Sequence, residues 1–302
     1  MRNDINTTHA SESTAVIARG LRKSYGKKEV LTGVDFALED GQIYGLLGRN
    51  GTGKSTLLSL LAGQLKHTAG ELQVFGKQPF DNAAVMDEAV YAGIDVPYPP
   101  TWSLKRVLQV AAARFPHWNA AEEKELIDAF ELDPRTKYSK ASRGQRSMVG
   151  IIIGLAANAP LTLIDEPYLG LDVRNREVFY RALLRSQEAN PRTIVMATHD
   201  LGESAKVIDH YLLLGRDGTI FMDMDAADVD AAFVTVTASS LPRDVLTLAV
   251  HSEGMPGQER AVLKREALDA LALPEGVAVH NLPIDEALGV FLGKDWGGGD
   301  DV

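Results

Sequence analysis

The chain has 302 residues, enough for one large core or two unequal domains, and its 45% hydrophobic and 24% charged content is that of a globular protein. It has no cysteine, which excludes a disulfide framework, a thiolate metal site and a cysteine nucleophile. Its net charge of -10 argues against nucleic acid as the main partner, because phosphate contacts come from Lys and Arg.

Residues 1–13 are polar, lack the apolar core of a signal peptide and read as a disordered lead-in. A strand is expected from Ala15, and Val34, Phe36 and Leu38 alternate as in a half-buried strand. Gln42–Leu47 reads as a buried strand and Leu57–Ala62 as the continuation of a helix, with GRNGTGKST between them. Further strands are expected at Gly70–Phe75 and Ala89–Ile94. Residues 103–133 change to helical spacing broken at Pro116, a helical insert that should bring Trp102 and Trp118 with it. Met148–Ala157 then reads as a buried helix and Leu161–Ile164 as a buried strand. A helix at Arg176–Ser186, a strand at Thr193–Ala197 and a short helix at Ser204–Ile208 follow. The longest apolar run, Met148–Ala157, is well short of the about 20 residues a membrane-spanning helix needs.

Strands alternating with helices predict an α/β fold with a mostly parallel sheet covered on both faces. The expected domain spans 14–225, with its helical subdomain at about 103–141. Beyond it, Phe233–Thr237, Val277–Val279 and the helical stretches at Glu266–Leu271 and Ile284–Leu292 predict a small α+β appendage over 226–295. A disordered tail is expected at 296–302.

Gly48-Arg-Asn50-Gly51-Thr-Gly53-Lys54-Ser55 fits G-x-x-x-x-G-K-[ST]. The glycines let successive N–H groups turn toward phosphate oxygens, and the following helix, entered through Ser55 and Thr56, adds its positive end. At ordinary glycine usage such a match arises by chance about once in a hundred chains of this length. The strand before it and the helix after it make it rarer still. The loop should bind a nucleoside triphosphate, with Lys54 reaching the β- and γ-phosphates and the Ser55 hydroxyl ligating Mg²⁺. Leu161–Glu166 is an apolar strand ending in two carboxylates, common alone but the expected second half of such a site. Asp165 would hold Mg²⁺ and Glu166 would act as general base. Thr193–Asp200 delivers His199 to a strand's C-terminal end, where parallel sheets bind ligands. A histidine there is more often structural, but its place in this series favours a γ-phosphate contact.

With Ala141-Ser142-Arg143-Gly144-Gln145 ahead of the buried helix, the arrangement resembles the nucleotide-binding subunit of ABC transporters over residues 15 to about 222. The resemblance implies a P-loop NTPase core and a magnesium-dependent ATPase. A tyrosine in a Lys- and Gly-rich loop is often just exposed, but the position of Tyr25 ahead of the first sheet strands matches the family's adenine-stacking residue and favours stacking. The resemblance makes Ser142, Gly144 and Gln145 a signature reaching the γ-phosphate of ATP held by a second chain. Gly170-Leu171-Asp172 becomes the D-loop and His199 the switch histidine. Two departures stand out. The signature begins with Ala and has Arg143 for Gly, and the glutamine loop has no glutamine. Asp95 is the nearest substitute, expected to sense Mg²⁺ or the attacking water; the alternative is that it turns the chain before Pro97.

The resemblance further implies a dimer with a second nucleotide-binding subunit, identical or not, and separate transmembrane permease subunits. The location would be cytoplasmic, peripheral at the inner face of the membrane. The short appendage and the segments Phe115-Pro-His-Trp118 and Ser142-Arg-Gly-Gln145 look most like those of bacterial exporters. The competing reading is a soluble ABC-type ATPase with a regulatory or nucleic-acid-linked role.

Overall fold

The structure, a computed structural model, describes residues 14–255, 257–271, 273–274 and 276–293. The expected lead-in at 1–13 and tail at 296–302 lie outside them. Two compact units are present: one runs to Asp200 and resumes over His210–Asp223, the other comprises Leu201–Asp209 and the chain from Met224 on. Leu201–Asp209, read from sequence as part of the ATPase domain, thus groups with the second unit.

In the first unit, β1 (Thr14–Tyr25) and β2 (Lys28–Glu39) form a long antiparallel pair. On β2, Val34, Phe36 and Leu38 are buried while Asp35, Ala37 and Glu39 are exposed, so the alternation puts one face on the core. β3 (Ile43–Leu47) is buried throughout and leads through the glycine loop into α1 (Lys54–Leu61). β4 (Ala69–Val74) pairs antiparallel with β1, completing a separate three-stranded sheet in the order β2-β1-β4. After α2 (Ala83–Met86) comes β5 (Ala89–Gly93).

The helical insert consists of α3 (Leu104–Arg114) and α4 (Ala120–Ala129), capped by the side chains of Ser103 and Asn119. Both pack against α5 (Arg143–Ala156). Within the insert the Trp118 indole donates to Glu123 (2.8 Å), and the Arg106 guanidinium lies over Trp102. β6 (Leu161–Asp165), α6 (Val173–Ala189) and β7 (Thr193–Thr198) follow. The short helix falls at α7 (Leu201–Ser204), three residues before its expected place. Val207 and Ile208, expected within that helix, are buried in the approach to β8 (His210–Leu214). With β9 (Ile220–Asp225) the main sheet has six strands in the order β5-β6-β7-β3-β8-β9, and the pairs from β5 through β8 are parallel. The fold is α/β, with a mostly parallel central sheet and flanking helices.

The second unit carries α8 (Ala226–Ala232), β10 (Phe233–Ala238), α9 (Arg243–Leu248), β11 (His251–Met255), β12 (Gln258–Lys264), β13 (Ala278–Asn281) and α10 (Ile284–Phe291). Its strands form an antiparallel sheet in the order β11-β12-β10-β13 around Val234, Val236, Leu241, Val245, Ala261 and Leu263. The stretch read as helical from Glu266 is a 3-10 turn at Arg265–Ala270.

Candidate functional site

Three strands of the central sheet end level with one another. Leu47 at the end of β3 lies opposite Thr198 of β7, and Asp165 at the end of β6 lies opposite Ala197. The residues that follow, Gly48, Glu166 and His199, therefore leave the sheet at one edge, where open parallel sheets place their ligands.

The loop from Gly48 to Gly53 has the backbone its glycines predict. Gly51 and Gly53 have φ of 81° and 112°, and Gly53 caps α1 without a side chain. The first N–H groups of α1 are thus open to an anion. A Cβ at Gly48 would come within 2.6 Å of the Leu214 carbonyl oxygen, so that position excludes every other residue type. Asn50 and Ser55 are exposed, whereas Lys54 is buried beneath the loop. Its ammonium donates to the carbonyls of Gly48 (2.8 Å) and Arg49 (3.3 Å) and lies 3.7 Å from Glu166 Oε1. Burial pulls the Lys54 pKa down, against the opposing pull of the Glu166 and Asp165 charges. Thr56 continues α1, half-buried.

Asp165 and Glu166, adjacent in sequence, face different partners. Asp165 Oδ2 accepts from the Tyr91 hydroxyl at 2.9 Å, and the Ser55 hydroxyl stands beside the same carboxylate. Burial pushes the Asp165 carboxyl up from its ordinary range, while the Ser55 and Tyr91 hydroxyls hold it down. Its Oδ1 is buried and has no hydrogen-bond partner among the described residues. Such an oxygen, next to a serine hydroxyl, fits a hard oxygen-seeking cation such as Mg²⁺. Glu166 adopts φ 48°, a left-handed conformation that costs a non-glycine residue about 1–3 kcal/mol and gathers at functional sites. Its N–H is anchored on the Ala197 carbonyl (2.8 Å), and its Oε2 lies 2.9 Å from His199 Nδ1. The Glu166 carboxylate thus sits between an ammonium on one oxygen and an imidazole on the other.

Asp95 lies exposed two residues beyond β5 and makes no hydrogen bond or ion pair among the described residues. Its charge still reaches the phenols of Tyr91 and Tyr138. Tyr25 ends β1, 48% exposed, with the Lys23 ammonium 4.9 Å above its ring and tied to the Lys66 carbonyl. One ring face is occupied by that cation.

The signature residues form a second cluster. Ser142 Oγ accepts from the N–H of Gln145, and the Gln145 side chain accepts from the N–H of Ser142, a capping box that starts α5. The Ser142 hydroxyl proton stays free to donate. Gly144 is pressed on Gly170: a Cβ there would lie 2.4 Å from the Gly170 oxygen. Ser147 donates to the Leu169 carbonyl at 2.5 Å, and Asp172 caps α6 through the N–H of Asn175. The structure therefore joins Lys54, Ser55, Asp165, Glu166 and His199 into one site. It joins Ser142, Gly144 and Gln145 to the turn before Asp172. Sequence reading missed Tyr91, which sits in the middle of a strand and in no motif.

A glycine loop on a helix N-terminus, a buried lysine and paired carboxylates at one sheet edge define a P-loop nucleotide hydrolase. The family model described as ABC transporter matches residues 31–169. The chain is 32% identical to the aliphatic sulfonates import ATP-binding protein SsuB of Corynebacterium glutamicum, covering 71% of this chain and 85% of that protein. It is 34% identical to the hemin import ATP-binding protein HmuV of Streptomyces coelicolor over 67% of this chain and 75% of that protein. With the ABC transporter ATP-binding protein YtrB of Bacillus subtilis it shares 24% identity over 80% and 82%. Among solved structures, an ATP-binding subunit of an ABC transporter superposes with a TM-score of 0.63 at 24% identity, covering 72% of this chain and 92% of the other. A dimeric ATP-binding cassette with ADP and phosphate bound gives 0.62 at 23% identity, covering 70% and 98%. The chain belongs to the ABC transporter ATP-binding family and is an ATPase.

Proposed function

We propose that the chain is the ATP-hydrolysing subunit that powers a membrane ABC exporter. The observation that carries the hydrolytic part is the placement of Glu166, with Lys54 3.7 Å from one carboxylate oxygen and His199 2.9 Å from the other. Glu166 takes the proton of the attacking water as general base. His199 donates from Nδ1 and holds the carboxylate in place. To bond a phosphate oxygen as well, His199 must carry a proton on Nε2, which requires the imidazolium form. Lys54 and the N–H groups of Gly51, Gly53 and α1 hold the triphosphate. Ser55 and Asp165 would hold Mg²⁺, which when bound neutralises charge on the phosphates.

Replacing Glu166 with Gln should lower the ATPase rate by about 10² or more while nucleotide binding survives, because general-base assistance contributes 10²- to 10⁴-fold. Lys54→Ala should weaken nucleotide binding itself. Single-turnover hydrolysis beside equilibrium binding separates the two, and wild-type turnover in Glu166→Gln overturns the assignment of the base.

The partners follow from family membership. A second nucleotide-binding subunit supplies Ser142 and Gly144 to the site, and a separate permease supplies the passage. Among the described residues no helix is long and apolar enough to cross a membrane, and the proposed attachment to its inner face runs through the permease. Export is proposed on the small second unit and the Phe115–Trp118 segment, whereas the sulfonate and hemin relatives are named as import proteins. ATP-driven uptake into inside-out vesicles holding the complex, against release from them, decides the direction. The soluble, non-transport reading fails if a membrane protein co-purifies with the chain.

A further inference from the structure

Tyr91 belongs to no nucleotide-site motif, yet from β5 its hydroxyl reaches a site carboxylate. β5 and β6 run parallel with Tyr91 opposite Leu163 and Gly93 opposite Asp165. Side chains two residues apart on a strand share a face. Tyr91 therefore lies on the face of Asp165, one step back along the neighbouring strand. Two residues of parallel strand rise about 6.6 Å, a span that a phenol leaning along the strand can bridge. Its hydroxyl donates to Asp165 Oδ2 at 2.9 Å.

The position directly opposite Asp165 cannot supply this contact. A Cβ at Gly93 would already lie 3.1 Å from the Asp165 Cβ. Behind Tyr91, the hydroxyl of Ser59 stands beside the phenol, and Ser59 lies one helical turn beyond Ser55 on α1. A chain of hydroxyls thus runs from α1 through Tyr91 to one oxygen of Asp165. The other oxygen, Oδ1, is buried with no hydrogen-bond partner among the described residues.

We propose that Tyr91 is a positioning residue: by fixing Oδ2 of Asp165 it holds the carboxylate plane so that Oδ1 is presented to the divalent cation. The proposal rests on the reading of Asp165 as a cation ligand. The terminal torsion of an aspartate is broad and two-fold, so a carboxylate held by neither oxygen samples many planes. A hydrogen bond to a charged acceptor is strong enough to select one of them. The function of the phenol is to orient, and it takes no part in bond making.

The experiment uses the full chain with ADP and reads Mn²⁺ affinity by electron paramagnetic resonance. Nucleotide affinity in excess EDTA and thermal unfolding are measured alongside. Tyr91→Phe keeps the ring and should weaken Mn²⁺ about tenfold or more, the scale of one hydrogen bond to a charged group. Metal-free nucleotide affinity should stay within about twofold. Ser59→Ala, which leaves the phenol in place with one neighbouring hydroxyl fewer, should weaken Mn²⁺ less and in the same direction. Asp165→Asn should weaken it at least as much as Tyr91→Phe. Unchanged Mn²⁺ affinity in Asp165→Asn would remove the cation-ligand reading itself. Loss in Asp165→Asn with none in Tyr91→Phe would overturn the positioning role alone. Equal losses of Mn²⁺ and metal-free nucleotide affinity in Tyr91→Phe would mark a structural role and overturn it too.

Discussion

At the scale of single residues, the site depends on side chains whose sequence neighbours give little warning of their surroundings. Asp165 and Glu166 are consecutive, yet one is held by the Tyr91 hydroxyl of β5 with Ser55 of α1 beside it and the other by Lys54 and His199. The strand sets Asp165 on one face, and the left-handed turn at Glu166 redirects the next side chain. Asp95 shows the opposite case, a residue singled out by its position that makes no hydrogen bond or ion pair among the described residues. If it senses the reacting end of the site, its charge acts through Tyr91 and Tyr138 at a distance. Asp95→Gln and Asp95→Ala should both bind ATP normally. Asp95→Ala should lose most of the stimulation of ATPase by the reconstituted permease, and Asp95→Gln less of it. Wild-type turnover and stimulation in both variants would make Asp95 a residue that only turns the chain before Pro97.

At the scale of elements, the start of α5 ties the signature to the turn after β6. Gly144 has a steric reason to be glycine as well as a role implied by family membership, because the Gly170 backbone leaves no room for a Cβ. Gly170 itself has φ 78°, so the turn cannot shift freely to make room. Gly144→Ala should therefore lower stability by about 1–3 kcal/mol through overpacking. ATPase should fall further than the lost stability explains, because Ser142 moves with the helix start. Urea unfolding beside ATPase measured well below the transition tests this; an unchanged midpoint would show that the turn yields. Much of this architecture is legible in the sequence. The alternation at Val34–Leu38, the glycines before Lys54 and the apolar run before Asp165 each state one local rule. The Ser142-x-x-Gln145 spacing also carries its local rule, a capping box, beside the phosphate contact that the resemblance assigns to it. Other features needed contacts between distant segments. Tyr91 gains its meaning only when β5 and β6 come into register, and the separate β2-β1-β4 sheet appears only when β4 returns to β1. The β8–β9 hairpin did carry a local sign, Asp217-Gly218, with Gly218 at φ 76° and Asp217 accepting from Thr219.

At the scale of the whole molecule, two clusters in one chain each hold residues that the proposed mechanism assigns to the nucleotide site. Lys54, Ser55, Asp165, Glu166 and His199 are joined at the sheet edge, whereas Ser142, Gly144 and Gln145 are joined to the turn at Gly170. The Ser142 hydroxyl accepts from its own helix and can still donate outward, which suits a ligand supplied from another chain. In a two-fold dimer each surface meets the other copy's, so one chain's phosphate loop would face its partner's signature. Two individually inactive variants test this arrangement. Ser142→Arg removes the signature but keeps the loop, and Lys54→Ala does the reverse. In their heterodimer one site inherits both defects and the other inherits none. Equal mixing with random pairing should restore about a quarter of the wild-type active sites, since half the dimers are mixed and each has one sound site. Fluorescence exchange between differently labelled chains establishes that the copies mix. With exchange shown, ATPase that rises toward that level supports a shared site, and activity absent at every mixing ratio overturns it.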